Sequence, residues 1–221
     1  MNKANIIEQI EKNKIIVILR GLDQEELLQT VDAMEKGGIR LAEVTFNSNG
    51  NPSDETIAGY IHTLAEHFAG KVHVGAGTVL TPRQAELAFN AGAEFIISPD
   101  TNPEVIQKTR ELGMVSIPGA MTASEVMQAH RAGADFIKLF PTDELGLSYL
   151  KALMAPLSQI RFLAVGGVTV ENIADYIRAG AYGAGIGTGI ANRGMIKTGD
   201  FAGITKLAER YVAALHAIKE D

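Results

Sequence analysis

Lys138 stands in the middle of "ADFIKLFP" (134–141), between Phe136, Ile137, Leu139 and Phe140. A lysine is seldom fully buried, and an unpaired ammonium in apolar surroundings is costly. Strand alternation puts Phe136, Lys138 and Phe140 on one face and Ile137 and Leu139 on the other. With the aliphatic pair against covering helices, the amine faces the other way. There it snorkels to water, pairs with a carboxylate, or is desolvated by Phe136 and Phe140 so that its pKa falls. A desolvated amine of this kind attacks a carbonyl and forms a Schiff base.

Schiff-base chemistry also needs a group that moves protons. Glu43, in "RLAEVTF" (40–46), is an acid inside an apolar strand, with Leu41 and Thr45 as its face-mates. A buried ion pair to Lys138 or Arg20 is one use for it. General acid–base work in a pocket is another, and the two are compatible. "AVGGVTVENI" (164–173) and "GAGIGTGI" (183–190) each place glycines at the end of a strand. Glycines let backbone N–H groups approach an anion, and barrels often bind phosphate in their last two loops, helped by a helix N-terminus. His62, His67, His73, His130 and His216 are scattered without metal-ligand spacing. Asp100, Asp143 and Glu144 read as caps or solvated charges. A metal-independent site without a cofactor is expected.

These residues need a scaffold. Short apolar runs at 15–19, 41–46, 72–75, 94–98, 114–117, 135–140, 162–166 and 184–187 alternate with amphipathic segments at 24–36, 54–68, 83–90, 103–111, 123–131, 146–155, 170–178 and 200–219. That order implies a parallel sheet covered by helices. "TPRQ" (81–84) and "TASE" (122–125) carry helix-start signals, with "TNPE" (101–104) similar. "KGGI", "NAGAEF", "ELGMV", "RAGADF" and "RAGAYG" supply glycine stops before the next strand. Eight such units without a linker predict a single α/β domain over 1–221, a (β/α)8 TIM barrel with a short N-terminal helix and a C-terminal helix. The rival is an open doubly wound sheet. It is disfavoured because "ILRGLDQEE" (18–26), after the first strand, lacks a glycine-rich nucleotide turn.

In a barrel the site lies at the C-terminal ends of the strands. Composition narrows its partners. The 221 residues carry a formal charge of −6, five Tyr, eight Phe and no Trp. Nucleic acid and anionic membranes are therefore not expected as partners. The absence of cysteine excludes disulfides and thiolate catalysis. With no signal-peptide pattern and no apolar run of spanning length, a soluble cytoplasmic protein is expected.

Taken together, "AEVTFNS", "VGAGTVLTPRQAELAFNAGAEFIISP", "IPGAMTASE", "FIKLFP" and "AVGGVTVENI" resemble the KDPG/KHG aldolase family, in order, over about residues 15–190. The resemblance implies a class I aldolase that cleaves a 2-keto-3-deoxy-6-phospho sugar acid, of phosphogluconate or phosphogalactonate type, to pyruvate and glyceraldehyde 3-phosphate. Activity on 4-hydroxy-2-oxoglutarate is also implied, as are a homotrimer and a place in Entner–Doudoroff metabolism. On this resemblance Lys138 matches the Schiff-base lysine and Glu43 the acid–base residue. Thr78, Pro99 and Phe140 match the pyruvyl pocket, and Gly166, Gly167, Gly187 and Thr188 the phosphate site. Many members carry an arginine where this chain has Asn47. "EVTFNS" looks instead like phosphogalactonate-type members, which pair that asparagine with an arginine at the end of the first strand, here Arg20. Arg20 is thus expected to bind the substrate carboxylate, with an ion pair to Glu43 as the alternative. Two other functions fit the same loops: a phosphate-binding barrel isomerase or epimerase without an imine, and a non-catalytic phospho-sugar-binding barrel. Pyridoxal phosphate would also fit a lysine beside a phosphate site.

Overall fold

The computed structural model describes residues 2–220. Parallel strands β1 (Ile15–Leu19), β2 (Leu41–Thr45), β3 (His73–Gly77), β4 (Phe95–Ile97) and β5 (Val115–Ile117) are followed by β6 (Gly119–Ala120), β7 (Ile137–Leu139), β8 (Phe162–Val165) and β9 (Gly183–Ile186). They run in the order β5-β4-β3-β2-β1-β9-β8-β7-β6. Only Pro118 separates β5 from β6, so the sheet closes on itself through that residue. Proline has no N–H to give a ladder, so the expected fifth strand stops before it, and β6 is an additional short strand in a stretch not expected to be one. Its carbonyl still accepts from Lys138 N at 2.9 Å, and Ser116 O accepts from Asp135 N at 3.0 Å, which seals the barrel.

Helices α1 (Lys3–Asn13), α2 (Gln24–Lys36), α3 (Asp54–His67), α4 (Pro82–Asn90), α5 (Pro103–Glu111), α6 (Ala123–Ala132), α7 (Thr142–Met154), α8 (Ile173–Arg178), α9 (Arg193–Thr198) and α10 (Phe201–His216) complete the fold. The start signals act as expected: Thr81 and Thr122 accept from the N–H groups of Gln84 and Glu125, and Asn102 accepts from Glu104 N. The stops act too. Gly38, Gly92, Gly113, Gly133 and Gly180 all adopt left-handed φ values between 75° and 106°, where a side chain would be strained.

Two helix starts and one additional helix are the main differences from expectation among the helices. α7 begins at Thr142 rather than 146 and kinks at Gly146, whose φ of 75° leaves the helix. α8 begins at Ile173 rather than 170. α9 has no counterpart in the predicted helices; it is a six-residue turn capped by Asn192, too short for a visible apolar period.

Side-chain alternation sorts the interior into two cores. Ile137, Leu139, Val17, Val44 and Ala164 pack outward against the helices. Ile16, Leu41, Phe95, Val115, Phe136 and Leu163 fill the barrel itself, and Ile6 and Ile10 of α1 join them. α1 therefore plugs the N-terminal end of the barrel. The interior is packed below and hollow above, which is where the functional side chains sit.

Candidate active site

Lys138 occupies the centre of β7, between two outward-facing aliphatic residues, and faces the barrel interior as alternation requires. It is 8% exposed. Its Nζ lies 4.8 Å from the centroid of the Phe140 ring and makes no hydrogen bond or ion pair among the described residues. Burial lowers its pKa from 10.5. Glu43 opposes that shift, and the Arg20 charge adds to it. The desolvation differs in one detail from the sequence expectation. Phe140 caps the amine, whereas Phe136 lies a layer deeper, beside α1 and edge-on to Tyr182 at 6.4 Å.

Glu43 is 1% exposed at the middle of β2. Neither Lys138 nor Arg20 forms an ion pair with it, and its Oε2 has no hydrogen-bond partner. Burial raises its pKa above 4.5, against the opposing charges of Lys138 and Arg20. Burial thus shifts each group in the direction of its own neutral form, the amine for Lys138 and the carboxylic acid for Glu43. Space for the carboxyl comes from the next strand. A Cβ on Gly77 would overlap Glu43 Oε1, and one on Gly75 would overlap the Phe95 ring.

Arg20, just beyond β1, does not pair with Glu43. Its Nη2 donates to Thr78 Oγ1 at 2.9 Å. Thr78 follows β3 with φ of 55°, a conformation that strains a β-branched residue and commonly marks a functional position.

Gly166 and Gly167 follow β8 with φ of 98° and 66°. A Cβ on Gly167 would overlap Asp143, so only glycine fits. The N–H groups of Gly166, Gly167 and Val168, and of Gly187, Thr188 and Gly189 after β9, have no protein acceptor among the described residues. Six N–H groups without an acceptor, on two loops that line one cavity, are the kind of donor set an anion requires. The helices that follow, α8 and α9, have six residues each, so the donors come from the loops rather than from a helix terminus.

Of the eleven site residues predicted, ten line one cavity of about 640 Å³: Lys138, Glu43, Arg20, Thr78, Pro99, Phe140, Gly166, Gly167, Gly187 and Thr188. Asn47 lies outside it. It lines an adjoining cavity of about 520 Å³ that shares Arg20, and its Nδ2 donates to the Asn51 carbonyl. Val165, Val168, Thr169, Gly185 and Gly189, from the two glycine-bearing stretches, also line the main cavity; sequence reasoning missed Ile18 and Tyr211, which line it too. Tyr211 arrives from the far end of the chain, which no local pattern reveals. Among the described residues no group of three His, Asp or Glu side chains could hold a metal ion. No helix among them is long and apolar enough to cross a membrane.

Fold and cavity together define a (β/α)8-barrel aldolase with a buried amine at its mouth. The chain belongs to the KDPG and KHG aldolase family, whose description matches residues 6–207. It is 36% identical to 2-dehydro-3-deoxy-6-phosphogalactonate aldolase of Escherichia coli, over 95% of this chain and 96% of that one. It is 34% identical to 2-dehydro-3-deoxy-phosphogluconate aldolase of Treponema pallidum, over 93% and 95%. Among solved structures, a native KDPGal structure superposes with a TM-score of 0.85 at 36% identity, covering 94% of this chain and 96% of that one. The KDPG aldolase of Legionella pneumophila, solved with pyruvate as a covalent carbinolamine intermediate, superposes with a TM-score of 0.80 at 28% identity, covering 89% and 93%.

Proposed function

We propose that the protein cleaves a 2-keto-3-deoxy-6-phospho sugar acid, of phosphogluconate or phosphogalactonate type, to pyruvate and glyceraldehyde 3-phosphate through an imine on Lys138. The observation that carries this is Lys138 itself: an amine buried in the cavity without an ion pair, its proton affinity lowered. Its Nζ adds to the C2 carbonyl. Glu43 gives its proton to the carbinolamine hydroxyl, which leaves as water. As carboxylate it then takes the C4 hydroxyl proton while the C3–C4 electron pair moves into the iminium. Glyceraldehyde 3-phosphate departs and Glu43 returns the proton to C3; as carboxylate again it takes a proton from the water that adds to the iminium, and the collapse of that adduct restores pyruvate, the free amine and the protonated acid.

In this assignment Arg20 holds the substrate carboxylate beside Thr78, with Asn47 at the outer margin. Pro99 and Phe140 wall the pyruvyl unit, and the free N–H groups around Gly166, Gly167, Gly187 and Thr188 take the phosphate. The same steps serve 4-hydroxy-2-oxoglutarate, which lacks the phosphate. We place the enzyme in the cytoplasm as a homotrimer working in Entner–Doudoroff-type metabolism. Met121, an apolar side chain 45% exposed in the loop after β6, is one that such a face would cover. Light scattering that returned the mass of one chain would remove the trimer.

Borohydride with pyruvate tests the central claim. A mass gain on Lys138, absent in Lys138→Ala, is expected; an unmodified wild-type chain would leave an isomerase or a binding protein. Pyruvate release from the two epimeric phospho sugar acids, with Lys138→Ala as the blank, identifies the preferred one.

A further inference from the structure

Tyr211 belongs to α10, the last helix, yet its phenol reaches the cavity between the two glycine loops. The ring is buried. Its Oη donates to the carbonyl of Val168 at 3.3 Å, in the loop after β8. A Cβ on Gly189, in the loop after β9, would overlap the same oxygen. One hydroxyl therefore touches both loops. Asn172 acts from within the first loop: its Nδ2 donates to Gly167 O at 3.0 Å, and its Oδ1 accepts from Thr169 N at 2.7 Å. With the carbonyls of Gly167 and Val168 engaged by side chains, the N–H groups of Gly166, Gly167 and Val168 are left without a partner.

We infer that Tyr211 is a positioning residue that holds the two glycine loops in register, and so sets how strongly the enzyme prefers a phosphorylated substrate over the same sugar acid without its phosphate. The inference rests on assigning the phosphate to these loops. It requires Tyr211 to touch no reacting atom, and its effect to be confined to the phosphate end of the substrate.

The test compares wild type, Tyr211→Phe and Gly189→Ala, each checked by thermal melting. Inhibition by inorganic phosphate, KM and kcat for the phosphorylated and dephosphorylated sugar acids, and borohydride trapping of pyruvate are measured. In Tyr211→Phe the phosphate inhibition constant and the KM for the phosphorylated substrate should rise roughly threefold to tenfold, the worth of one buried hydrogen bond. The dephosphorylated substrate and the rate of trapping should move less than about twofold, within the scatter of distant effects. Gly189→Ala, which crowds the same hydroxyl from within the anion loop itself, should raise the phosphate inhibition constant at least as far as Tyr211→Phe does. Equal losses on both substrates, or none on either, would overturn the inference alone. A wild-type enzyme not inhibited by phosphate and indifferent to the phosphate group would overturn the phosphate assignment and the role of Tyr211 with it.

Discussion

Lys138 and Glu43 each carry a cost that the reaction explains. A buried amine with no ion pair destabilises the fold wherever it is protonated. Its pKa is lowered in the folded state, so the unfolded chain binds that proton more tightly, and stability rises with pH from the lowered value up to 10.5. Lys138→Met should abolish pyruvate trapping yet stabilise the protein near neutrality by about 1–2 kcal/mol, roughly 2–4 °C in Tm for each kcal/mol. That advantage should shrink as pH approaches 10.5, which thermal melts across the range would show. Glu43 has the opposite sign: its raised pKa means that stability falls as pH climbs from 4.5 through the folded-state value. Glu43→Gln should still form the imine slowly, with turnover reduced by about 10²–10⁴-fold; single-turnover trapping beside steady-state pyruvate release separates the two. Both residues were legible in the sequence, because a charged side chain inside an apolar strand stands out and alternation fixes its direction. The depth of Phe136 was not. Alternation fixes a face, but which layer a residue occupies depends on how strands are staggered around the barrel.

At the scale of elements, the strands supply empty space as much as side chains. Gly77 in β3 makes room for the carboxyl on β2, and Gly77→Ala should cost about 1–3 kcal/mol by overpacking and lower turnover by displacing Glu43. Gly59, exposed within α3 with open space around it, should behave oppositely: Gly59→Ala should stabilise by roughly 0.5–1 kcal/mol with unchanged kinetics. Urea titrations of both variants alongside pyruvate-release assays check the contrast. Helix punctuation by threonine, asparagine and glycine is written locally, so most helix boundaries were readable. Pro118 was visible, but the extra short strand beyond it, β6, depends on the neighbours that seal the gap. α9 and the reach of Tyr211 were invisible, the first too short for periodicity and the second a contact across 43 residues.

The molecule as a whole divides its interior between support and chemistry. α1 closes one end with Ile6 and Ile10, each 1% exposed, against Phe136 and Leu163. Ile10→Ala should lower the unfolding free energy by about 2–5 kcal/mol. At temperatures where the variant stays folded, its KM should be unchanged, because the cavity lies at the opposite end. A parallel loss of substrate affinity would mean that the packed floor and the hollow mouth are not independent.

The unpartnered oxygen of Glu43 has a consequence for the timing of the proposed cycle. A carboxyl tied down by hydrogen bonds has its proton affinity set by those partners, and each transfer must disturb them. Glu43 has no such partner at Oε2 and lies in the space that the absent side chain of Gly77 leaves. It can therefore discharge and recharge twice in one turnover while its surroundings stay still. In that cycle it works as a reusable proton depot, its bias reset at each step by whether Lys138 is an amine, an iminium or an enamine.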